Sequence, residues 1–267
     1  VPPHEDHAVC LRVWDWSETS QTAALFTRNL GLVRGLAKGS KRPKSDFSGG
    51  LEPLSLGQVG LHIKPATELA LITHWDLVEV FPALRNALHA YNAGLYMAEL
   101  VLAFAGDHDP HPGLFDALLA ALRALGDAHQ TRRAVLTLQW AALVEAGYLP
   151  VLDRLSTAPG PLPESAAFLF DPGQGGLVAP AEPGPPALGA DGVDWRVRAS
   201  TVRLLNALHA DPASAALTEP EPVDRAARFL AAYTRHILGH EPATHRALFP
   251  DLGRLPGSGN PPTGQSA

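Results

Sequence analysis

Apolar and polar residues alternate over residues 7–16, with Val9, Leu11 and Val13 on one face and Cys10, Arg12 and Trp14 on the other. A period of two predicts a half-buried strand. Ser17, Glu18, Thr19 and Ser20 read as a turn, residues 21–27 as a second strand, and Asn29, Leu30 and Gly31 as the turn before a third at 32–38. Gly49, Gly50 and Pro53 punctuate a loop. Residues 57–64 alternate again, with Val59, Leu61 and Ile63 inward, and 69–80 close the set. Five short strands in succession suggest a small barrel of the OB type. An SH3-like barrel or an open meander would show the same pattern.

After Pro82 the period changes to about 3.6. Leu84, Leu88, Tyr91, Leu95 and Leu102 form a stripe that predicts a helix over 83–104. Asp109 to Gly113 break it, and Pro112 suits the first turn of a helix over 114–125. Thr131 is the expected cap of a third helix, which Gly147 ends. Residues 155–194 contain 15 Pro or Gly, so a loop with at most a short hairpin around Phe168–Phe170 is expected there. Helical periodicity returns at 199–208 and 223–238, and the Pro-, Gly- and Ser-rich tail from Pro250 onward reads as disordered.

Composition narrows the class. In 267 residues, 46% are hydrophobic and 18% charged, which excludes a chain that is disordered throughout. There is one cysteine, Cys10, so neither an intrachain disulfide nor a cysteine zinc site can form. No apolar run reaches 18 residues, and no basic stretch followed by an apolar one opens the sequence. A cytoplasmic protein without membrane contact is therefore expected.

The net charge of −6 alone argues against nucleic acid. Its distribution reverses that argument. Between Arg28 and Ser45 stand six basic residues and no acidic one: Arg28, Arg34, Lys38, Lys41, Arg42 and Lys44. Arg34, Leu36 and Lys38 share a strand face, and the segment runs on into a Gly/Ser/Pro loop. Clustered cations beside free backbone amides suit phosphate oxygens. Trp14, Trp16 and Phe47 lie nearby in sequence, and aromatic rings beside cations are the arrangement that single-strand binders use. The plainer readings are a solvated basic loop and tryptophans belonging to the core or its rim. The segment lacks the spacing of a Walker phosphate loop, so ATP binding is not expected.

Signals for catalysis and metal are weak. No Gly-x-Ser-x-Gly elbow occurs, and Cys10 sits within an alternating strand, as a buried structural thiol would. His108 and His111 lie in a Pro-rich connection without a nearby third ligand. His236 and His240 flank Gly239, where a helix should end, and a histidine there already suits the helix dipole. The chain is expected not to be an enzyme and to need no cofactor or metal.

Longer strings carry a resemblance. Leu11 to Thr22, Leu25 to Arg28 and Gly31 to Arg42, followed by Tyr91 to Leu100, Gln139 to Pro150 and Arg228 to Tyr233, resemble the bacterial recombination mediator family RecO over roughly residues 7–245. The first block is the most specific. The resemblance implies an α+β chain: a five-stranded OB-fold nucleic-acid-binding domain at 1–80, a helical domain at 81–248, and a tail at 249–267. It also implies binding of single- and double-stranded DNA, annealing of complementary strands, and help in loading RecA, with RecR, on strands coated with single-strand-binding protein (SSB). The family's basic OB face maps onto Arg34, Lys38, Lys41, Arg42 and Lys44, with Arg28 beside them. The SSB C-terminal tail would meet basic residues of the helical domain, for which Arg132, Arg133 and Arg203 are candidates. Localisation would be cytoplasmic, with the nucleoid.

The sequence departs from the family at one place. Many relatives carry two Cys-x2-Cys pairs, but the corresponding positions here are Leu155, Ala158, Ala179 and Glu182. A degenerate, metal-free zinc-finger-like insert at 151–194 is therefore expected, as the least ordered interior segment. Two further classes stay open: an OB-fold RNA-binding protein, and a scaffold for SSB or RecR that grips DNA weakly. The second gains weight from the 13 basic against 18 acidic residues after position 80.

Overall fold

A computed structural model describes residues 4–48, 51–64, 67–182, 193–211, 214–215 and 218–252. The chain divides into two compact units, Val1–Tyr148 and Leu149–Ala267.

The first unit begins with six strands: β1 (His4–Asp15), β2 (Gln21–Thr27), β3 (Gly31–Ala37), β4 (Phe47–Ser48), β5 (Ser55–His62) and β6 (Ala70–Val80). β1 pairs antiparallel with β2 and β5, β2 with β3, and β5 with β6. A parallel pairing of β3 with β6 closes these five strands into a ring. Antiparallel neighbours with one parallel closure give the OB barrel that the alternation suggests. β4 adds two residues against the outer edge of β6.

The barrel interior contains Cys10, Leu25, Val33, Leu61, Ile72 and Trp75, all fully or almost fully buried. Trp75 fits because Gly57 faces it: a Cβ there would lie 2.4 Å from the indole ring. The phase of β1 differs from the simple alternation. The register shifts between Cys10 and Arg12, so Leu11 is the extra residue of a β-bulge. Ala8, Cys10 and Val13 consequently share the interior, and burial carries Cys10 to a pKa of about 12, well above that of a free thiol. Phe47 is also interior rather than a surface aromatic.

Four helices complete this unit: α1 (Pro82–Asn86), α2 (Leu88–Phe104), α3 (Pro112–Arg123) and α4 (Ala128–Glu145). The single helix expected over 83–104 is two, because Ala87 is extended at φ −144°. Pro112 opens α3 as expected. α4 starts before Thr131, since Asp127 accepts from the backbone N–H of His129 and Gln130 while the Gln130 side chain accepts from the Asp127 N–H. That reciprocal box fixes the helix start. The helices pack on the barrel. Phe26 meets Phe115 at 5.9 Å between ring centroids, and Gly31, at φ +72°, lets β3 run against the backbone of Asp109. The first compact unit thus extends past residue 80 to include all four of these helices.

The second unit is also mixed, in contrast to the all-helical expectation. β7 (Val151–Leu155), β8 (Ala167–Asp171), β9 (Gly176–Ala181) and β10 (Arg196–Arg198) form a sheet in the order β10-β8-β9-β7. α5 (Ala199–Ala210), α6 (Pro220–Leu238) and α7 (His245–Leu248) follow. The β8–β9 hairpin realises the one expected around Phe168–Phe170, and Phe170 packs edge-on against Phe229 and Tyr233 of α6. Gly239, left-handed at φ +69°, ends α6 between His236 and His240.

Within 151–194, where a loop with at most a short hairpin is expected, residues 151–155, 167–171 and 176–181 are paired strands, and 183–192 lie outside the described residues. Of the positions compared with the family's cysteine pairs above, Leu155 ends β7, Ala158 lies just past it, and Ala179 is on β9. Side chains fasten this corner. Ser156 Oγ donates to the Leu177 carbonyl at 3.1 Å, and Thr157 Oγ1 to that of Val178 at 2.7 Å. The tail from 253 onward lies outside the described residues.

Candidate nucleic-acid interface

The six cations between Arg28 and Ser45 separate into two groups. Arg28 is held in a fork by Asp116 of α3, through Nε at 3.1 Å and Nη2 at 2.8 Å. That hydrogen bonding holds the Asp116 carboxyl below its ordinary pKa. Arg34 stands 3.5 Å from Asp107, and Lys41 Nζ lies 2.6 Å from Asp15. Arg28 and Arg34 therefore join Glu52–Arg85 and Glu79–Arg123 in linking barrel to helices. Lys41 serves its own loop. Its N–H donates to Thr19, and Gly39 and Ser40 bond the Ser20 and Gln21 side chains.

Lys38, Arg42 and Lys44 have no carboxylate partner among the described residues and are exposed. A turn at Gly39, φ +70°, brings Arg42 back over it, with the Arg42 N–H donating to the Gly39 carbonyl at 3.0 Å. A fourth exposed cation joins them. Lys64, just past β5, lines one groove with Lys38, Leu36, His62 and Leu71, and a neighbouring one with Arg34 and His108. The alternation shows that Lys64 ends a strand. It does not show that β3 and β5 flank β6, which is what brings Lys64 near Lys38.

The nearby tryptophans are on the surface. Trp14 is 39% and Trp16 62% exposed, and the Arg12 guanidinium stacks 5.1 Å from the Trp14 ring centroid. Arg12 is the second cation that the charge run leaves out, because it lies 16 residues before Arg28 in sequence.

The other candidates fall in different units: Arg132 and Arg133 are half-buried on α4 of the first, and Arg203 is exposed on α5 of the second. His111 caps α3 and lies 3.3 Å from both Asp109 and Glu145. No group of three His, Cys, Asp or Glu among the described residues is placed to hold a metal. No helix among them is long and apolar enough to cross a membrane.

Comparison with known proteins decides the family. The family model for the N-terminal part of recombination protein O matches residues 3–81, and that for its C-terminal part residues 85–247. The chain belongs to the RecO family. It is 33% identical over 241 residues to the DNA repair protein RecO of Anaeromyxobacter sp. (strain Fw109-5), covering 89% of this chain and 92% of that one. It is 34% identical over 255 residues to the protein of the same name from Anaeromyxobacter sp. (strain K), covering 94% and 97%. A shorter match, 36% over 150 residues, links it to the DNA repair protein RecO of Salinibacter ruber. The two RecO family models meet near residue 83, whereas the compact units meet at 148/149. Helices α2–α4 thus belong to the C-terminal family model by sequence and to the barrel's compact unit by packing, and α1 straddles the junction of the two models.

Proposed function

We propose that this chain is a DNA repair and recombination mediator. It binds single- and double-stranded DNA on the exterior of its barrel, anneals complementary strands and, with RecR, helps load RecA on SSB-coated DNA. The carrying observation is that a RecO-family barrel, in a chain of net charge −6, presents Lys38, Arg42, Lys44 and Lys64 free of carboxylate partners among the described residues. These cations neutralise phosphates without reading sequence. Two strands held by one molecule meet at raised effective concentration, so annealing needs neither ATP nor a covalent step. On this reading the chain is a binding protein rather than an enzyme and works at the nucleoid in the cytoplasm. The acidic SSB tail is assigned to the helical part, with the exposed Arg203 as the first residue to substitute.

The test is annealing of complementary oligonucleotides coated with SSB, with and without RecR. Acceleration over the protein-free rate is expected; a rate equal to it overturns the mediator role. A scaffold reading has one observation in its favour: Arg28, Arg34 and Lys41 are already engaged by carboxylates. Capture of SSB or RecR that survives nuclease, by a protein that anneals nothing, would establish that reading instead.

A further inference from the structure

The strand registers place a single row of side chains around the outside of the barrel. Trp14 pairs with Thr22, Thr22 with Leu36, Leu36 with Leu71, and Leu71 with His62. Cross-strand partners lie on the same face. Every member of this row is at least partly exposed, Leu71 at 37% and Trp14 at 39%, whereas the adjacent Val13, Ala23, Gly35 and Ala70 face inward. The row crosses five strands, so at about 4.8 Å per step it is roughly 19 Å long.

Cations flank this row on both sides. Two residues before Trp14 and Leu36, on the same strands, stand Arg12 and Arg34, and these share a register through Ala24. β3 and β6 run parallel and β5 and β6 antiparallel, so Lys64, two residues past His62, falls on the Arg34 side, where the two line one groove. Lys38, two residues past Leu36, stands on the other side, in the groove that Leu36, His62 and Leu71 also form. Trp16 continues the β1 side beyond Trp14 at 62% exposure. A track of rings and aliphatic groups, bordered by Arg12, Arg34 and Lys64 on one side and by Lys38 on the other, is complementary to unpaired bases with phosphates on their flanks. A duplex turns its base faces inward and offers this track only its backbone.

Resting on the nucleic-acid reading above, we propose that the row Trp14–Thr22–Leu36–Leu71–His62 is a base-contacting track for single-stranded nucleic acid. Trp14 stacks on a base, Leu71 packs on a second, and Arg12, Arg34, Lys38 and Lys64 hold the phosphates on either side. The track sets the preference for single strands over duplex, while the loop cations Arg42 and Lys44 attract either form.

The full-length protein tests this with a fluorescein-labelled oligothymidylate and a duplex of equal length, titrated in the same buffer. Trp14→Ala and Leu71→Ala should each lower single-strand affinity, roughly 5- to 100-fold for Trp14 as expected for loss of one stacked base. The ratio of single-strand to duplex affinity should fall at least about fivefold with Trp14→Ala. Trp14→Phe keeps a ring and should restore most of the ratio. Tryptophan fluorescence of the wild type should be quenched by the oligothymidylate, and less so in Trp14→Ala, because Trp75 and Trp140 are buried. An equal loss for both ligands, or no loss, overturns the track while leaving DNA binding in place. A wild type that binds neither ligand removes the nucleic-acid reading itself and the track with it.

Discussion

At the scale of single residues, carboxylates set how much positive charge the barrel offers. Asp107 and Asp15 stand against Arg34 and Lys41 on exposed surface, where such pairs contribute only about 0.2–1 kcal/mol to stability. A phosphate can therefore displace them at small cost. Asp107→Asn and Asp15→Asn should each raise DNA affinity by up to about fivefold, the equivalent of that energy. Titration at fixed salt checks this, and an unchanged affinity would show that neither carboxylate competes. The charge run itself was legible in the sequence, but its partners were not. Arg28 and Asp116 are 88 residues apart, and only the packing of α3 on the barrel brings them together.

A second residue-scale prediction concerns pH. His245 is fully buried, and burial, together with the nearby Arg235 and Arg246, lowers its pKa from the ordinary 6.5 to about 4, against the opposing pull of Glu241. Between those values the unfolded chain binds a proton that the folded chain does not. Stability contributed by neutral His245 is full above about pH 6.5 and declines as pH falls toward 4. The total loss is on the order of 3 kcal/mol. Urea melts of the second unit's signal between pH 7 and 4.5 should show that decline, and His245→Gln should flatten it; an identical slope in the variant would assign the effect elsewhere.

At the scale of elements, the sequence pattern revealed strands and helices and missed their phases. Residues 7–16 alternate cleanly, yet the bulge at Leu11 moves Cys10 to the interior, because a bulge adds one residue without disturbing the apolar count. The pattern puts the cap of α4 at Thr131, although Asp127 and Gln130 carry the spacing of a capping box just upstream. Asp127→Ala should cost about 1 kcal/mol, within the 0.5–2 range for lost caps, read as a lower midpoint of thermal unfolding. The strands within 151–181 were hidden by proline and glycine, which mark turns strongly whatever lies between them. Their sheet is anchored by Phe170 against Phe229 and Tyr233, a contact that spans about sixty residues of sequence. Gly57→Ala would press a methyl group into Trp75 and should destabilise the barrel by about 1–3 kcal/mol.

At the scale of the whole molecule, charge partnering sets the salt response. Each phosphate neutralised on single-stranded DNA contributes about −0.7 to the slope of log affinity against log salt. Arg12, Lys38, Arg42, Lys44 and Lys64, exposed and without a carboxylate ion pair among the described residues, give a slope of about −3.5, and a phosphate that takes Arg34 from Asp107 brings it to about −4. If Arg28 and Lys41 contributed fully as well, it would approach about −5.6. Because these two already have carboxylate counterions, a value near −4 is expected, and a measured slope near −5.6 would show that DNA displaces both. The family was legible from the strings around residues 11–42, whereas the face used by the barrel required the closing pair of β3 and β6.

That closure gives Cys10 a further consequence. It is the chain's only thiol, fully buried inside a ring in which β1 is paired on both sides. An alkylating reagent can reach it only when β1 parts from β2 or β5, and a thiol with a pKa of about 12 carries almost no thiolate until then. The rate at which iodoacetamide labels the native protein is thus a clock for the opening of the barrel alone. It needs no engineered probe, and its slowing on addition of an oligonucleotide would measure how strongly a bound strand holds the barrel shut.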